Sequence, residues 1–165
     1  MEDGYPRYPL PHAGRDVSVA DVSITLDEIK AHCVRLSPWA HLATVGADNH
    51  PDVVPVHPCW EGDVLWTMCG TDSVKVRNVA ANPNVAIHWQ VTATGDGVEI
   101  WGTAEVFADL ETKRRLWTGV FDYDLNAFAP GGPDDSPGTA FMAITPQRGL
   151  YLGMYGMTGH RVWRA

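Results

Sequence analysis

The sequence predicts an α+β domain of mainly antiparallel β-structure, a barrel of six or seven strands with peripheral helices. Three observations lead there. Short apolar runs alternate with tight turn signals, so successive strands join as hairpins. Helical patterns occur in only three places and do not follow every strand, which argues against a doubly wound parallel sheet. The 165 residues include 16 Gly, 12 Pro and 7 Trp, a turn-rich composition in a chain sized for one hydrophobic core.

The elements follow in order. Residues 1–22, with Pro6, Pro9 and Pro11 and little periodicity, read as an N-terminal arm, and residues 23–165 as the folded domain. Thr25 and Glu28 form a capping box, Leu26, Ile29, Cys33 and Leu36 repeat on one helical face, and Ser37-Pro38 stops that helix. Residues 39–45 read as a first strand, turned by Gly46-Ala47-Asp48-Asn49. Residues 51–60 read as a second, turned by Glu61-Gly62-Asp63, and residues 64–69 as a third. Pro55 and Pro58 each remove a ladder donor from the second run, so one side of that strand lacks a neighbouring strand or faces something else.

A short helix over 73–81 closes at Asn82-Pro83-Asn84. Residues 85–91 and 98–107 read as strands joined around Gly95-Asp96-Gly97, and Gly102 marks a bulge or a close contact. Asp109 caps a third helix in which Leu110, Trp117 and Phe121 fall near one stripe. A Gly- and Pro-rich loop over 129–138 leads to strands at 139–145 and 150–155, and a last short strand runs to Trp163.

Charge and cysteine usage narrow the function. Twelve basic against 20 acidic residues leave a formal charge of −8, which argues against nucleic acid or an anionic membrane as the main partner. Any anion must therefore be captured by placed donors. No apolar run approaches the roughly 18 to 20 residues of a membrane span. Cys33, Cys59 and Cys69 are odd in number with no C-x-x-C spacing, and the acidic N-terminus lacks a signal-peptide pattern. A cytoplasmic, reducing setting is the expectation.

The sharpest local feature is Cys69-Gly70-Thr71-Asp72-Ser73-Val74-Lys75-Val76-Arg77-Asn78. A strand ends, glycine permits a tight turn, and a helix begins with hydroxyls at its free N–H groups. Such a terminus attracts phosphate, and Lys75 and Arg77 supply two cations. Pattern alone leaves two readings: an anion site, or an ordinary capped helix with a solvated basic face.

Other signals are weaker. His41, His50, His57 and His88 lie in or beside strands, but without an H-x-H or H-E-x-x-H pattern no metal site is expected. Asp122-Tyr123-Asp124 and Asp134-Asp135 lack a calcium-loop frame and read as solvated turns. There is no G-x-S-x-G, and the cysteines sit in apolar stretches where burial keeps thiols inert. Gly153–Gly159 has no dinucleotide-binding spacing and reads as a strand followed by a turn near a substrate mouth. No catalytic residue is assigned.

Several pieces taken in order resemble one family. They are the hairpin Ala43-Thr44-Val45-Gly46 with Pro51-Asp52-Val53-Val54-Pro55-Val56, then Ser73-Val74-Lys75-Val76-Arg77-Asn78, Asn82-Pro83-Asn84-Val85, and Val98-Glu99-Ile100-Trp101-Gly102-Thr103-Ala104-Glu105-Val106. Over residues 26–165 the chain is similar to the pyridoxamine 5′-phosphate oxidase-like split-barrel family. The resemblance implies a homodimer of six-stranded split barrels with FMN at each side of the interface. By position, Val54, Pro55, Val56 and His57 would lie along the isoalloxazine ring, with Trp66, Thr67 and Met68 flanking it. Ser73, Lys75 and Val76 would meet the phosphate, and Trp101 and Trp163 would make contacts across the dimer.

The C-terminal Gly159-His160-Arg161-Val162-Trp163-Arg164-Ala165 departs from the oxidase's substrate-binding end. The chain is more similar to the smaller general-stress-type flavoproteins and deazaflavin-dependent reductases. The expected function is thus an FMN-binding oxidoreductase acting on a small organic substrate. Two alternatives accompany it: a reductase using the deazaflavin coenzyme F-420, and a non-catalytic protein that holds a flavin or haem.

Overall fold

Residues 22–165 are described by the structure, a computed structural model. The expected N-terminal arm lies outside the described residues, apart from Val22, whose backbone enters the first strand. The elements are β1 (Val22–Ser23), α1 (Leu26–Leu36), β2 (Ala40–Val45), β3 (Pro51–Val56), β4 (Cys59–Glu61) and β5 (Val64–Gly70). They continue with α2 (Val74–Ala81), β6 (Asn84–Trp89), β7 (Gly97–Phe107), α3 (Leu110–Trp117), β8 (Thr139–Leu152) and β9 (His160–Arg164).

The strands form one sheet in the order β1-β9-β8-β7-β6-β2-β3, with β5 joined to β8 and β4 to β5. Every pairing is antiparallel except that of β1 with β9. Strand β8 is the hub. Its first half pairs with β5, from Gly70↔Thr139 to Leu65↔Ile144, and its second half with β9. Strand β7 runs along both halves. One long strand thus serves two branches of the sheet, which splits the barrel.

Alternation along β8 builds two apolar layers, because successive strand side chains face opposite ways. Met142 and Ile144 join the main core with Leu42, Leu65, Ile87 and Ile100, all fully buried. Helix α1 contributes Ile29 and Cys33 to the same core. Phe141 and Ala143 face the other way and pack with Trp66, Leu116 and Leu125 in a smaller cluster. The candidate site forms beside that second layer, through Met68 and Tyr123.

Three details differ from the sequence reading. The run over 51–60 is two strands, because the chain breaks at His57-Pro58: β3 pairs with β2, whereas β4 pairs with β5. Pro58 has no N–H to continue a ladder. The separate strands expected at 139–145 and 150–155 are one strand of 14 residues. It runs through Pro146 because the ladder to β7 slips between Trp101 and Gly102, giving Gly102↔Pro146 and Trp101↔Arg148. The third helix stops at Trp117, and it buries Lys113 and Leu116 while Leu110 is exposed. Gly119, at φ +93°, turns the chain away before Phe121 can extend that stripe. Seven longer strands agree with the expected count, and the short β1 and β4 bring the sheet to nine among the described residues.

The bulge makes Gly102 stringent. A Cβ there would stand 2.2 Å from the Thr145 carbonyl oxygen and 2.9 Å from its carbon. Backbone atoms on the hub strand cannot yield as a flexible side chain would. Gly102→Ala is therefore expected to destabilise the fold by about 2–3 kcal/mol, read as a lower urea midpoint at unchanged slope. An unchanged midpoint would contradict the close approach.

Candidate functional site

A cleft of about 650 Å³ opens where the end of β3, the strand β5, the start of α2 and the loop before β8 meet. That volume lies within the roughly 300–1,000 Å³ usual for small-molecule and cofactor sites. Pro55, Val56 and His57 form one wall and Thr67, Met68, Cys69 and Gly70 another. Trp39, Tyr123 and Phe128 add aromatic surface, while Lys75, Gly138 and Thr139 complete the lining. The composition suits a planar organic ring: mostly apolar and aromatic, with two threonine hydroxyls and one ammonium group.

The turn into α2 is held on several sides. The Ser73 N–H donates to the Gly70 carbonyl at 3.1 Å, and the Thr71 N–H donates to Gly138 O at 2.9 Å. Asn78 Nδ2 donates to Thr44 Oγ1 at 3.0 Å, tying the helix to β2. The Arg77 guanidinium donates to the Asp72 carbonyl and so braces this turn. Lys75 is the residue of the pair that lines the cleft. Ser73 occupies the N-cap with extended backbone, yet its side chain makes no capping bond. Its Oγ is buried and without a hydrogen-bond partner among the described residues. A buried hydroxyl left unpaired at a helix N-terminus, next to a lysine, has the chemistry of a phosphate ligand.

His57 occupies a rigid position. Its ring lies 5.0 Å from Trp39 and 4.4 Å from Tyr123, centroid to centroid. The Tyr123 hydroxyl donates to the His57 carbonyl at 3.4 Å. His57 Nε2 stands 2.8 Å from Asp122 Oδ1, but off the line of a ring hydrogen bond, so Nε2 is buried without an aligned partner among the described residues. Burial pushes the Tyr123 hydroxyl well above the usual phenol range, and the nearby Cys59 and Asp122 push the same way. This phenol therefore stays protonated near neutral pH and serves as a donor.

The family model for pyridoxamine 5′-phosphate oxidase matches residues 26–153. The chain belongs to the pyridoxamine 5′-phosphate oxidase family. Solved members of similar fold include a protein from Clostridium acetobutylicum related to general stress protein 26 of Bacillus subtilis. It is 19% identical at a TM-score of 0.70, covering 86% of this chain and 96% of that one. A pyridoxamine 5′-phosphate oxidase-related, FMN-binding protein from Nostoc punctiforme is 14% identical at a TM-score of 0.65, over 86% of this chain and 97% of its own. An F420 reductase is 27% identical at a TM-score of 0.53, over 69% of this chain and 90% of its own. No curated protein matches the chain by sequence.

For this family member, the residues singled out by sequence divide into two groups. Pro55, Val56, His57, Thr67, Met68 and Lys75 share the cleft, whereas Ser73, the N-cap of α2, is not among its lining residues. Val54, Val76 and Trp163 are part-buried against the main core, and Trp66 is buried in the second cluster beside Phe107. Trp101 lies on β7 beneath the Arg148 guanidinium, 4.5 Å from it. Cys69 and Gly70, which open the segment before α2, also line the cleft, and Trp39, Tyr123, Phe128, Gly138 and Thr139 join them without an assignment from the sequence. The aromatic residues of the 121–128 segment were the available signal: large apolar rings in a turn-rich stretch need a surface to cover.

The cleft thiol is not a reactive one. Burial pushes Cys69 up to about 11 despite the pull of nearby Lys75, and burial also pushes Cys59 up to about 11. Cys33, the third free cysteine, is raised further by the same cause. A neutral thiol is a poor nucleophile. All three are expected to resist a thiol reagent at pH 8 in the folded protein and to react rapidly in guanidinium. A fast phase in the folded protein would contradict this burial.

Proposed function

We propose that the cleft holds FMN and that the protein is a flavin-dependent oxidoreductase acting on a small organic substrate. The observation that carries this reading is the convergence of Pro55, Val56, His57, Thr67, Met68 and Lys75 on one cleft. Two residues before Lys75, the Ser73 hydroxyl is buried and without a hydrogen-bond partner among the described residues. Bound FMN would supply hydride or single-electron transfer. The chain's own part is to hold the ring and keep water away from it.

In this reading Pro55, Val56, His57, Thr67 and Met68 border the ring, and Ser73 and Lys75 take the phosphate. Val54, Trp66 and Val76 back those walls from the core. A homodimer would complete the site. Trp39 and Phe128, which line the cleft, are 51% and 67% exposed, and a second copy would cover this aromatic rim. Trp101 and Trp163 are assigned to contacts across that interface. Three free, buried cysteines agree with a reducing, cytoplasmic setting. Among the described residues no helix is long and apolar enough to cross a membrane.

A second reading, reduction with coenzyme F-420, draws on the 27% identity to an F420 reductase. The acidic tail of that coenzyme favours an extended run of cations, and Lys75 is the one lysine or arginine among the described wall residues. FMN fits that single charge better.

Single-turnover kinetics test whether the site is catalytic. The FMN-loaded protein is mixed anaerobically with NADPH or NADH and then with a quinone acceptor. Bleaching of the flavin bands followed by their return supports an oxidoreductase. A cofactor that stays oxidised with both donors would reduce the proposal to a binding role.

A further inference from the structure

We propose that His57 Nε2, Cys59 Sγ and Asp122 Oδ1 form a binding site for a borderline-soft divalent cation, zinc above all. The histidine spacing in the sequence points to no metal, but the fold brings together a mixed ligand set. The three ligand atoms all lie within 4.8 Å of one another. Asp122 Oδ1 is 2.8 Å from His57 Nε2 and 3.4 Å from Cys59 Sγ. Zinc bonds of about 2.0–2.3 Å in a tetrahedron place neighbouring ligand atoms about 3.3–3.7 Å apart. Opening the His57–Asp122 contact by about 0.5 Å, and closing the His57–Cys59 separation from its limit of 4.8 Å towards the same range, brings the trio to that geometry.

The parts differ in freedom in a useful way. Trp39 and Tyr123 flank the His57 ring, and Cys59 is fixed as the first residue of β4, opposite Trp66. Asp122, 68% exposed on the loop after α3, can supply the opening of its contact with His57. Among the described residues His57 Nε2 is buried with no aligned hydrogen-bond partner, a cost that a metal bond removes.

The donor chemistry selects the ion. One imidazole nitrogen, one thiolate and one carboxylate suit zinc, whereas magnesium and calcium prefer oxygen alone. The two anionic ligands balance the charge of a divalent cation. As the sulfur–metal bond forms, the Cys59 thiol proton passes to solvent; nothing is oxidised or reduced. Three protein ligands leave a fourth position for water or a small ligand. A second cavity of about 330 Å³, bordered by His57, Cys59 and Asp122 together with Trp60 and Val120, offers room for it. His57 borders both cavities, so the metal would fix the ring that faces the main cleft.

The full chain, stripped with a chelator and desalted, is titrated with zinc against a chromophoric competitor and separately loaded with cobalt. One zinc per chain at submicromolar affinity is expected, and the cobalt form should show a sulfur-to-cobalt charge-transfer band with intense tetrahedral visible bands. Cys59→Ala should abolish the sulfur band. Asp122→Asn, on an exposed side chain that leaves the fold intact, should weaken zinc binding at least about tenfold. No stoichiometric zinc, a cobalt spectrum without the sulfur band, or undiminished affinity in Asp122→Asn would each overturn the site.

Discussion

Replacing Lys75 with Gln is expected to weaken FMN binding about tenfold to a hundredfold and to leave riboflavin binding almost unchanged. The magnitude follows from charge. A hydrogen bond to an ionised group contributes about 1.5–3 kcal/mol, and about 1.4 kcal/mol corresponds to a tenfold change in affinity. The surroundings offer little to replace it. The chain carries a formal charge of −8, and the Arg77 guanidinium is engaged with the Asp72 carbonyl. Riboflavin has the ring without the phosphate, so the difference between the two ligands isolates the anion end. Flavin fluorescence quenching gives both dissociation constants. An equal loss for both ligands would move the phosphate away from Lys75.

Phe141→Ala is expected to cost about 3–5 kcal/mol of stability. Phe141 is fully buried on the hub strand, 5.4 Å from the Phe121 ring and 6.1 Å from Trp117. Its cluster is the smaller of the two, so few neighbours can close the cavity left behind. Set against the roughly 5–15 kcal/mol that stabilises most domains, the loss is large. The consequence reaches the site, because Phe141 pairs with Met68 on β5 and with Phe107 on β7. Removing the ring loosens the layer behind the cleft wall. Urea unfolding should show a much lower midpoint, and weaker FMN binding should accompany it. A midpoint within experimental error of the parent would mean that this second layer does not support the fold.

What the sequence disclosed was mostly local. Thr25 and Glu28 form the reciprocal capping box, with the Glu28 N–H donating to Thr25 Oγ1 at 3.2 Å and the Thr25 N–H to Glu28 Oε2 at 2.8 Å. Asp109 likewise accepts from the Thr112 N–H at 2.8 Å. Such signals lie within four residues of each other and need no tertiary contact. The bulge at Gly102 was legible for the same reason, although its partner was not. Only pairing with β7 shows how β8 carries Pro146 without ending. The break at His57-Pro58 was hidden because β3 and β4 find their partners in different parts of the sheet.

The candidate site divides along the same line. Its β3 and α2 walls come from contiguous segments whose ordered motifs resemble a family, and the β5 wall follows from its position between them. Tyr123, Phe128, Gly138 and Thr139 reach the cleft from a loop placed by α3 and β8, and no short-range pattern encodes that placement. The ligand trio is the extreme case. His57 and Cys59 are two residues apart around a proline, but Asp122 arrives from far along the chain and only the fold brings it within reach.

The proposed function requires that the cleft take up a flavin. The most direct measurement is a titration of the cofactor-free full chain with FMN, and in parallel with coenzyme F-420, followed by the visible spectrum. Saturation at one FMN per chain is expected, with shifted flavin bands and weaker uptake of F-420. A chain that shows no saturable change with FMN, or that binds F-420 while excluding FMN, would contradict it.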